Sequence, residues 1–85
     1  MDKPLTVLIA DDHRLMCEGI KLVLEQDNIK VVGRAASGRQ AVEKVKELNP
    51  DVVLLDIRMP DMDGLQALGA IKANSPDVSV IMLTS

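Results

Sequence analysis

Short apolar runs alternate with longer stretches of helical periodicity along this chain, and the alternation restricts the fold more than any other feature. The apolar runs have the length of strands and lie at 5–10, 30–35, 51–57 and 78–83. The stretches between them repeat apolar residues at helical spacing and lie at 13–26, 39–48 and 64–73. The predicted order is β-α-β-α-β-α-β, which favours a parallel sheet with right-handed crossovers.

The apolar content of the strands predicts their order in the sheet. The first and third runs are strongly apolar, so we expect them at the centre, covered on both faces. The second run is weaker and suits an edge, which gives a doubly wound parallel α/β sheet of order 2-1-3-4. One apolar stripe per helix is predicted to face this sheet. The stripes are Met16, Ile20, Val23 and Leu24, then Ala41, Val45 and Leu48, then Leu65, Leu68 and Ile71.

Length and charge exclude several classes of protein. The 85 residues suffice for one domain, and a net charge of −3 provides no basic face for direct binding of nucleic acid. No apolar run approaches the roughly 20 residues that cross a bilayer, and the N-terminus lacks the features of a secretory signal. The single cysteine, Cys17, has no partner for an internal disulfide, so we expect a cytoplasmic protein.

Two of the apolar runs end in acidic residues. Asp11 and Asp12 follow the first run, and Asp56 lies at the end of the third. The carboxyl ends of neighbouring parallel strands meet at one edge of a sheet, where such folds bind ligands. We therefore expect these three carboxylates to lie close together, with Thr84 at the end of the fourth strand on the far side of Asp56.

Clustered carboxylates require a counter-charge. Two carboxylates about 5 Å apart repel by roughly 3 kcal/mol at an effective dielectric constant of about 20. Oxygen ligands favour a hard cation, and Mg²⁺ needs only one or two carboxylates. We predict Mg²⁺ held by Asp11, Asp12, Asp56 and the backbone carbonyl of Arg58. Asp56 is then the nucleophile for phosphoryl capture, and Thr84 hydrogen-bonds a phosphoryl oxygen.

Several neighbouring residues are given structural roles instead. Asp61 and Asp63 are predicted to form a turn, because Met59 occupies the first ligand position of an EF-hand loop and rules that motif out. Asp12 has a second possible role as a cap of the first helix. His13 is interpreted as a surface or capping residue and not as a ligand or base.

Three stretches of the sequence, 8–13, 52–64 and 80–84, resemble the receiver domain of two-component response regulators. Asp11-Asp12-His13 and Val31-Val32-Gly33 are most similar to the NarL/FixJ subgroup of transcription regulators. The resemblance implies a flavodoxin-like, CheY-like fold and phosphorylation of Asp56 by a sensor histidine kinase. It also implies a magnesium site at Asp11, Asp12 and Asp56, a Thr84 that responds to the phosphoryl group, and a DNA-binding output domain in the full-length protein.

The resemblance covers the first two-thirds of such a domain. Receiver domains continue with a fourth helix, a fifth strand that carries a phosphate-pairing lysine and a switch aromatic, and a fifth helix. None of these occurs before Ser85. We therefore expect residues 1–85 to be a partial receiver domain that is truncated after the fourth strand.

Two alternative functions stay open. One is a signalling-incompetent interaction fragment that self-associates through an exposed fourth strand, because the run 78–83 is apolar and uncharged. The other is a phosphatase of the haloacid dehalogenase type, which also uses a strand-end aspartate. That class needs a second acid two residues later, where this chain has Arg58, so no enzymatic turnover is expected.

Overall fold

The predicted alternation of strands and helices is confirmed in a computed structural model, which describes residues 3–83. Its elements, in chain order, are β1 (Leu5–Ala10), α1 (Arg14–Gln26), β2 (Ile29–Ala35), α2 (Gly38–Leu48), β3 (Val52–Asp56), α3 (Gly64–Asn74) and β4 (Ser79–Leu83). The observed boundaries differ from the predicted ones by one residue in most elements. No helix within residues 3–83 is long and apolar enough to cross a membrane.

The four strands form one parallel sheet in the order β2-β1-β3-β4, as predicted. Ala10 lies beside Leu55, and Asp56 lies beside Leu83. The carboxyl ends of β1, β3 and β4 are therefore aligned at one edge. The two central strands, β1 and β3, are each paired with a neighbouring strand on both sides. Their apolar sequences suit this central position.

The sheet is covered by α1 on one face and by α2 and α3 on the other. Cys17, Ile20 and Leu24 of α1 pack against Val7 and Ile9. The opposite core is larger, and its fully buried members are Leu8, Ala10, Ala35, Ala41, Val45, Val53, Leu55, Ala67, Ile71 and Val78. β1 is buried on both faces, as predicted. β3 is not, because its residues on the α1 side, Val52 and Leu54, are only half-buried.

The predicted helix stripes were wrong at four positions. Met16 is 47% exposed, Val23 61% and Leu65 66%, and Leu48 at the end of α2 is 36% exposed. In α1 the inner face is centred on Cys17, so the helix is rotated away from the face that Met16 and Val23 would define. An apolar residue on either side of this face satisfies a period of 3.6, so the spacing alone did not decide the rotation.

The helix ends are set by short polar side chains. Ser37 accepts a hydrogen bond from the Gln40 amide at the start of α2. Asp63, which was predicted to form a turn, instead caps α3 and exchanges hydrogen bonds with Gln66 in a capping box. The capping role considered for Asp12 is wrong, because the cap residue of α1 is His13, whose side chain makes no capping bond.

The amino ends of β1 and β3 are fastened by a reciprocal polar contact. The Thr6 amide and hydroxyl both donate to Oδ2 of Asp51, each at 2.9 Å. The Asp51 amide in turn donates to Thr6 Oγ1 at 2.9 Å. These bonds lower the pKa of Asp51 below its ordinary value, with the Thr6 amide as the main cause. We call this contact the Thr6–Asp51 clasp, and it lies at the opposite end of the sheet from the acidic residues.

Candidate functional site

The acidic residues predicted to converge do lie together at the carboxyl edge of the sheet. Asp11 follows β1, and Asp56 is the last residue of β3. One carboxylate oxygen each from Asp11, Asp12 and Asp56, together with one ring nitrogen of His13, lie within 4.8 Å of one another. We call these four residues the acid cluster. Its formation follows from the pairing of β1 with β3, which brings both strand ends side by side.

Asp56 is the most deeply placed acid with an unused oxygen. The residue is 1% exposed. Its Oδ1 accepts a hydrogen bond from the Arg58 amide at 3.2 Å. Its Oδ2 is buried and has no hydrogen-bond partner within residues 3–83. An unpaired buried carboxylate oxygen costs free energy, so a group that binds or reacts with this atom gains a large driving force.

Asp11 is equally buried, and one of its two carboxylate oxygens is held by His13. It is 1% exposed, and its amide donates to the Ala35 carbonyl at 2.9 Å. Its Oδ1 accepts from the His13 amide at 2.8 Å and lies 2.9 Å from His13 Nδ1. The Cys17 thiol donates to the Asp11 carbonyl at 3.4 Å. These contacts fix the carboxylate at the strand end.

His13 contacts two acids of the cluster. Its Nδ1 lies 3.2 Å from an oxygen of Asp12, in addition to the contact with Asp11. The hydrogen bond to Asp11 raises the pKa of His13, and the charges of Asp12 and Asp11 raise it further. Its predicted surface position is confirmed, but its contacts with both acids were missed. The available signal was its position directly after two acids that converge with a third.

The loop between β3 and α3 folds back on the end of β3. The Gly64 amide donates to the Ile57 carbonyl at 2.8 Å. A Cβ on Gly64 would lie 2.6 Å from the Asp56 carbonyl oxygen and 2.6 Å from Ile57 Cα, so only glycine allows this approach. Asp61 makes the turn with a φ of 71°, as its predicted role in the loop requires. The loop thereby holds Asp56 in a fixed position.

A cleft of about 630 Å³ opens beside the acid cluster. Asp12 lies on one side of it, and the loop residues Arg58, Met59 and Pro60 lie on the other with Leu65. Leu65 is exposed at the start of α3 and adds an apolar surface to the rim. The lining therefore combines charged side chains, Asp12, Arg58 and Asp63, with apolar ones.

The other predicted site residues are placed differently. Arg58 is exposed, and it contacts the cluster through the hydrogen bond that its backbone amide donates to Asp56 Oδ1. Thr84 lies outside the described residues, and its predicted contact with a phosphoryl oxygen stays a prediction.

Comparison with known proteins identifies the class of protein to which this fold and edge belong. Residues 7–85 match the response regulator receiver domain, so the chain belongs to that family. The similarity therefore spans both central strands, the acid cluster and β4. The resemblance to receiver domains and the predicted flavodoxin-like fold are confirmed.

The curated relatives of the chain include response regulators named VraR. The chain is 46% identical over 83 residues to VraR of Staphylococcus saprophyticus, a match that covers 96% of this chain and 40% of that protein. It is 48% identical over 80 residues to VraR of Staphylococcus aureus, which covers 93% of this chain and 38% of the relative. The chain thus spans about two-fifths of the length of these curated relatives.

Solved structures of receiver domains superpose closely. The response regulator domain of Thermotoga maritima CheB has a TM-score of 0.90 and 42% identity, over 96% of this chain and 61% of that one. The receiver domain of NarL from Mycobacterium tuberculosis has a TM-score of 0.91 and 37% identity, over 98% and 68%. CheY of Borrelia burgdorferi, in a complex with CheX, BeF₃ and Mg²⁺, has a TM-score of 0.90 and 35% identity, over 95% and 62%.

Proposed function

We propose that this chain accepts a phosphoryl group on Asp56, with Mg²⁺ bound at the acid cluster. The observation that carries the proposal is the buried Oδ2 of Asp56, which has no hydrogen-bond partner within residues 3–83 and lies among other acids. Membership of the receiver family supports a histidine kinase as the donor. Residues 1–85 are proposed to act as one partial receiver domain.

The transfer follows from the geometry of Asp56. Its Oδ2 is free to attack phosphorus, while the Arg58 amide holds Oδ1 and so orients the carboxylate. The bond from phosphorus to the phosphohistidine nitrogen breaks as the bond to Oδ2 forms, which leaves an acyl phosphate on Asp56 and a free histidine on the donor. Thr84 is proposed to donate a hydrogen bond to the transferred group.

The residues of the cluster fit Mg²⁺. Asp11, Asp12 and Asp56 offer oxygen ligands, and we propose the Arg58 carbonyl as a fourth. The bound ion supplies positive charge to the carboxylates and to the phosphoryl oxygens. The related CheY of Borrelia burgdorferi was solved in a complex with CheX, BeF₃ and Mg²⁺, which supports Mg²⁺ as the ion for this family.

His13 is proposed to act as a counter-charge and not as a ligand. Its raised pKa increases the protonated fraction, and a protonated imidazole has no lone pair on Nδ1 for a metal. Magnesium also prefers oxygen to nitrogen ligands. His13 therefore favours the ion-free cluster, and we expect the ion to displace its charge.

The test is the intact mass of the protein after incubation with Mg²⁺ and acetyl phosphate. We expect one phosphoryl adduct that is removed by hydroxylamine, because acyl phosphates are labile to this nucleophile. Asp56→Asn should abolish the adduct. Asp61→Asn is the matched control, since it makes the same substitution in the same loop at an exposed position. An adduct that resists hydroxylamine, or that persists in Asp56→Asn, would refute the proposal.

Magnesium binding is tested separately by titration calorimetry. Asp12→Asn removes an exposed carboxylate from the cluster and should leave the fold intact while it weakens binding. Asp63→Asn, at the cap of α3, serves as a control outside the cluster. Equal affinities of the wild type and Asp12→Asn would remove Asp12 from the ligand set.

The wider role is proposed from the relatives. The match to VraR and NarL supports a transcription regulator whose longer form binds DNA through a separate domain. The chain itself carries a net charge of −3, which gives no basis for DNA contact by these residues. Sustained hydrolysis of a phosphomonoester would instead favour the phosphatase alternative. That class needs a second acid two residues after the nucleophile, where this chain has Arg58.

We also propose that the 85-residue chain self-associates through β4. Within residues 3–83, β4 pairs with β3 on one side only, and Ile81 is 52% exposed. An uncharged strand at a sheet edge is a template for another strand. Ile81→Lys should therefore reduce the apparent mass in light scattering, whereas a strictly monomeric wild type at all concentrations would refute pairing through this edge.

A further inference from the structure

A cleft of about 490 Å³ opens between α1 and β2, on the side of the sheet that α1 covers. Its apolar lining consists of Ile9, Val31 and Val32, together with the thiol of Cys17. Ile9 and Cys17 are buried, and the two valines are half-buried. The lining residues differ from those of the acid cluster, so the cleft is a separate place on the molecule. We call it the α1–β2 groove.

The α1–β2 groove concentrates positive charge in a chain that is acidic as a whole. Arg14, Lys21 and Arg34 line it with cationic side chains. Glu18 adds one carboxylate, which leaves a net charge of +2 in the lining. The whole chain has a net charge of −3, and the cleft beside the acid cluster is lined by two carboxylates and one guanidinium. An anion is therefore attracted to the groove and repelled from the acid cluster.

A β-bulge in β2 places Arg34 in the groove. The register between β1 and β2 shifts by one residue after Val31, so Val32 is an extra residue of β2. In a regular strand Val31 and Arg34, which are three positions apart, would lie on opposite faces of the sheet. With the bulge both lie on the α1 side, because Val31 packs in the core under α1 and Arg34 lies level with Ile9. Bulges that redirect a side chain in this way are frequent beside functional sites.

The guanidinium of Arg34 is half-buried and has no carboxylate partner within residues 3–83. Its Nε donates a hydrogen bond to Cys17 Sγ at 3.3 Å, and sulfur is a weak acceptor. Among the described residues, Lys21 forms no ion pair either. Arg14 meets Glu18 at a distance of 4.0 Å. A half-buried cation without a counter-charge favours an anion within its reach.

We infer that the α1–β2 groove binds a small organic phosphate monoester. Such a group carries about 1.5 to 2 negative charges near neutral pH, which matches the net charge of the lining. The guanidinium of Arg34 presents a fork that fits two phosphate oxygens, and Lys21 adds a point charge. The volume exceeds that of a phosphate ion and leaves room for an organic part against the apolar lining. This site does not involve Asp56 and does not depend on phosphoryl transfer.

The test is an NMR titration of backbone amide shifts with phenyl phosphate, at low salt and in EDTA. EDTA removes Mg²⁺, so the acid cluster holds no phosphate, and Ile81→Lys in all chains prevents pairing through β4. We expect saturable shifts at residues 31–34 and in α1, with a dissociation constant of about 1 mM or tighter. Inorganic phosphate lacks the ring and should bind roughly tenfold more weakly. Phenol lacks the phosphate and should cause no saturable shift.

Single substitutions test the charges that hold the phosphate. Arg34→Gln should raise the dissociation constant at least about tenfold, and Lys21→Gln should raise it several-fold. Arg39→Gln, at an exposed position of α2, is the matched control and should leave it unchanged. Glu18→Gln removes the carboxylate from the lining, so it should lower the dissociation constant about twofold. A gain of affinity cannot come from misfolding, and Glu18 and Lys21 are both exposed.

The proposal is supported by shifts confined to the groove together with opposite effects of Lys21→Gln and Glu18→Gln. It is overturned if phenyl phosphate causes no saturable shift in the groove, or if the shifts centre on the acid cluster. Equal affinities of the wild type, Lys21→Gln and Glu18→Gln also overturn it. Phenyl phosphate that binds no more tightly than inorganic phosphate overturns the assignment of an organic ligand.

Discussion

Asp56→Asn is predicted to stabilise the metal-free protein. Asp11 and Asp56 are both 1% exposed, and their nearest ligand oxygens lie within 4.8 Å. Their mutual repulsion destabilises the native state when no cation is bound. Asparagine keeps an oxygen for the Arg58 amide. It replaces Oδ2, which has no hydrogen-bond partner within residues 3–83, by an uncharged group of the same size.

The expected gain follows from the separation of the two carboxylates. At 4.8 Å and an effective dielectric constant of about 20, the repulsion is about 3 kcal/mol. The loss of a charged acceptor for the Arg58 amide offsets about 1 kcal/mol of this. The net gain in the free energy of unfolding is then about 2 kcal/mol, which raises the melting temperature of a domain of this size by about 8 °C or more.

Urea denaturation with EDTA and with saturating Mg²⁺ measures this effect. In EDTA the variant should be the more stable protein. Magnesium at about a hundred times its dissociation constant adds about 2.7 kcal/mol to the wild type and less to the variant, so the lead of the variant should shrink. Asp61→Asn should change either value by no more than about 0.5 kcal/mol. A variant that is no more stable than the wild type in EDTA would show that the carboxylates do not repel as argued.

Three further predictions concern single positions. Gly64→Ala should lower the free energy of unfolding by about 1–3 kcal/mol, because its Cβ meets the end of β3 at 2.6 Å, whereas Gly69→Ala, in open space, should raise it by about 0.5–1 kcal/mol in the same urea assay. The folded pKa of Asp51 is lowered, so the stability gap between the wild type and Asp51→Asn should be full above the unfolded pKa near 3.8 and shrink as the pH falls through the folded value; a gap constant down to pH about 2 would contradict this. The folded pKa of His13 is raised, so the gap between the wild type and His13→Ala in EDTA should be full below the unfolded pKa of 6.5 and close as the pH rises through the folded value; NMR titration of the imidazole provides the independent check.

The strand order was predictable in part, because the second run is clearly the least apolar and lies at an edge, as expected. The fourth run is as apolar as the first but also lies at an edge, so apolar content alone did not fix its place. The pairing of the first and third strands brings Asp11 and Asp56 together. The rotation of α1 was not predictable, because Met16 and Cys17 are neighbours and either fits a helical period. The partial exposure of β3 on the side of α1 was not predictable either. An apolar strand sequence does not show which of its two faces a helix covers.

The finer features of the candidate site depend on distances between residues that are not neighbours in sequence. Gly64 was expected to permit a tight loop, but its contact with the backbone of Asp56 is a tertiary approach that no local pattern encodes. His13 is exposed on one side and contacts acids on the other, so its type and position favoured a surface role. The buried Oδ2 of Asp56 has no hydrogen-bond partner within residues 3–83, and this too depends on the positions of residues that are distant in sequence.

The two ends of the sheet are held together differently, because the Thr6–Asp51 clasp lies at only one of them. One end of β1 and β3 is tied by short hydrogen bonds, while the other carries charges that repel one another. A change of charge at Asp56 therefore acts at an end of the sheet that this clasp does not tie. We expect such a change to affect the acid cluster and the residues beside it more than the Thr6–Asp51 contact at the opposite end.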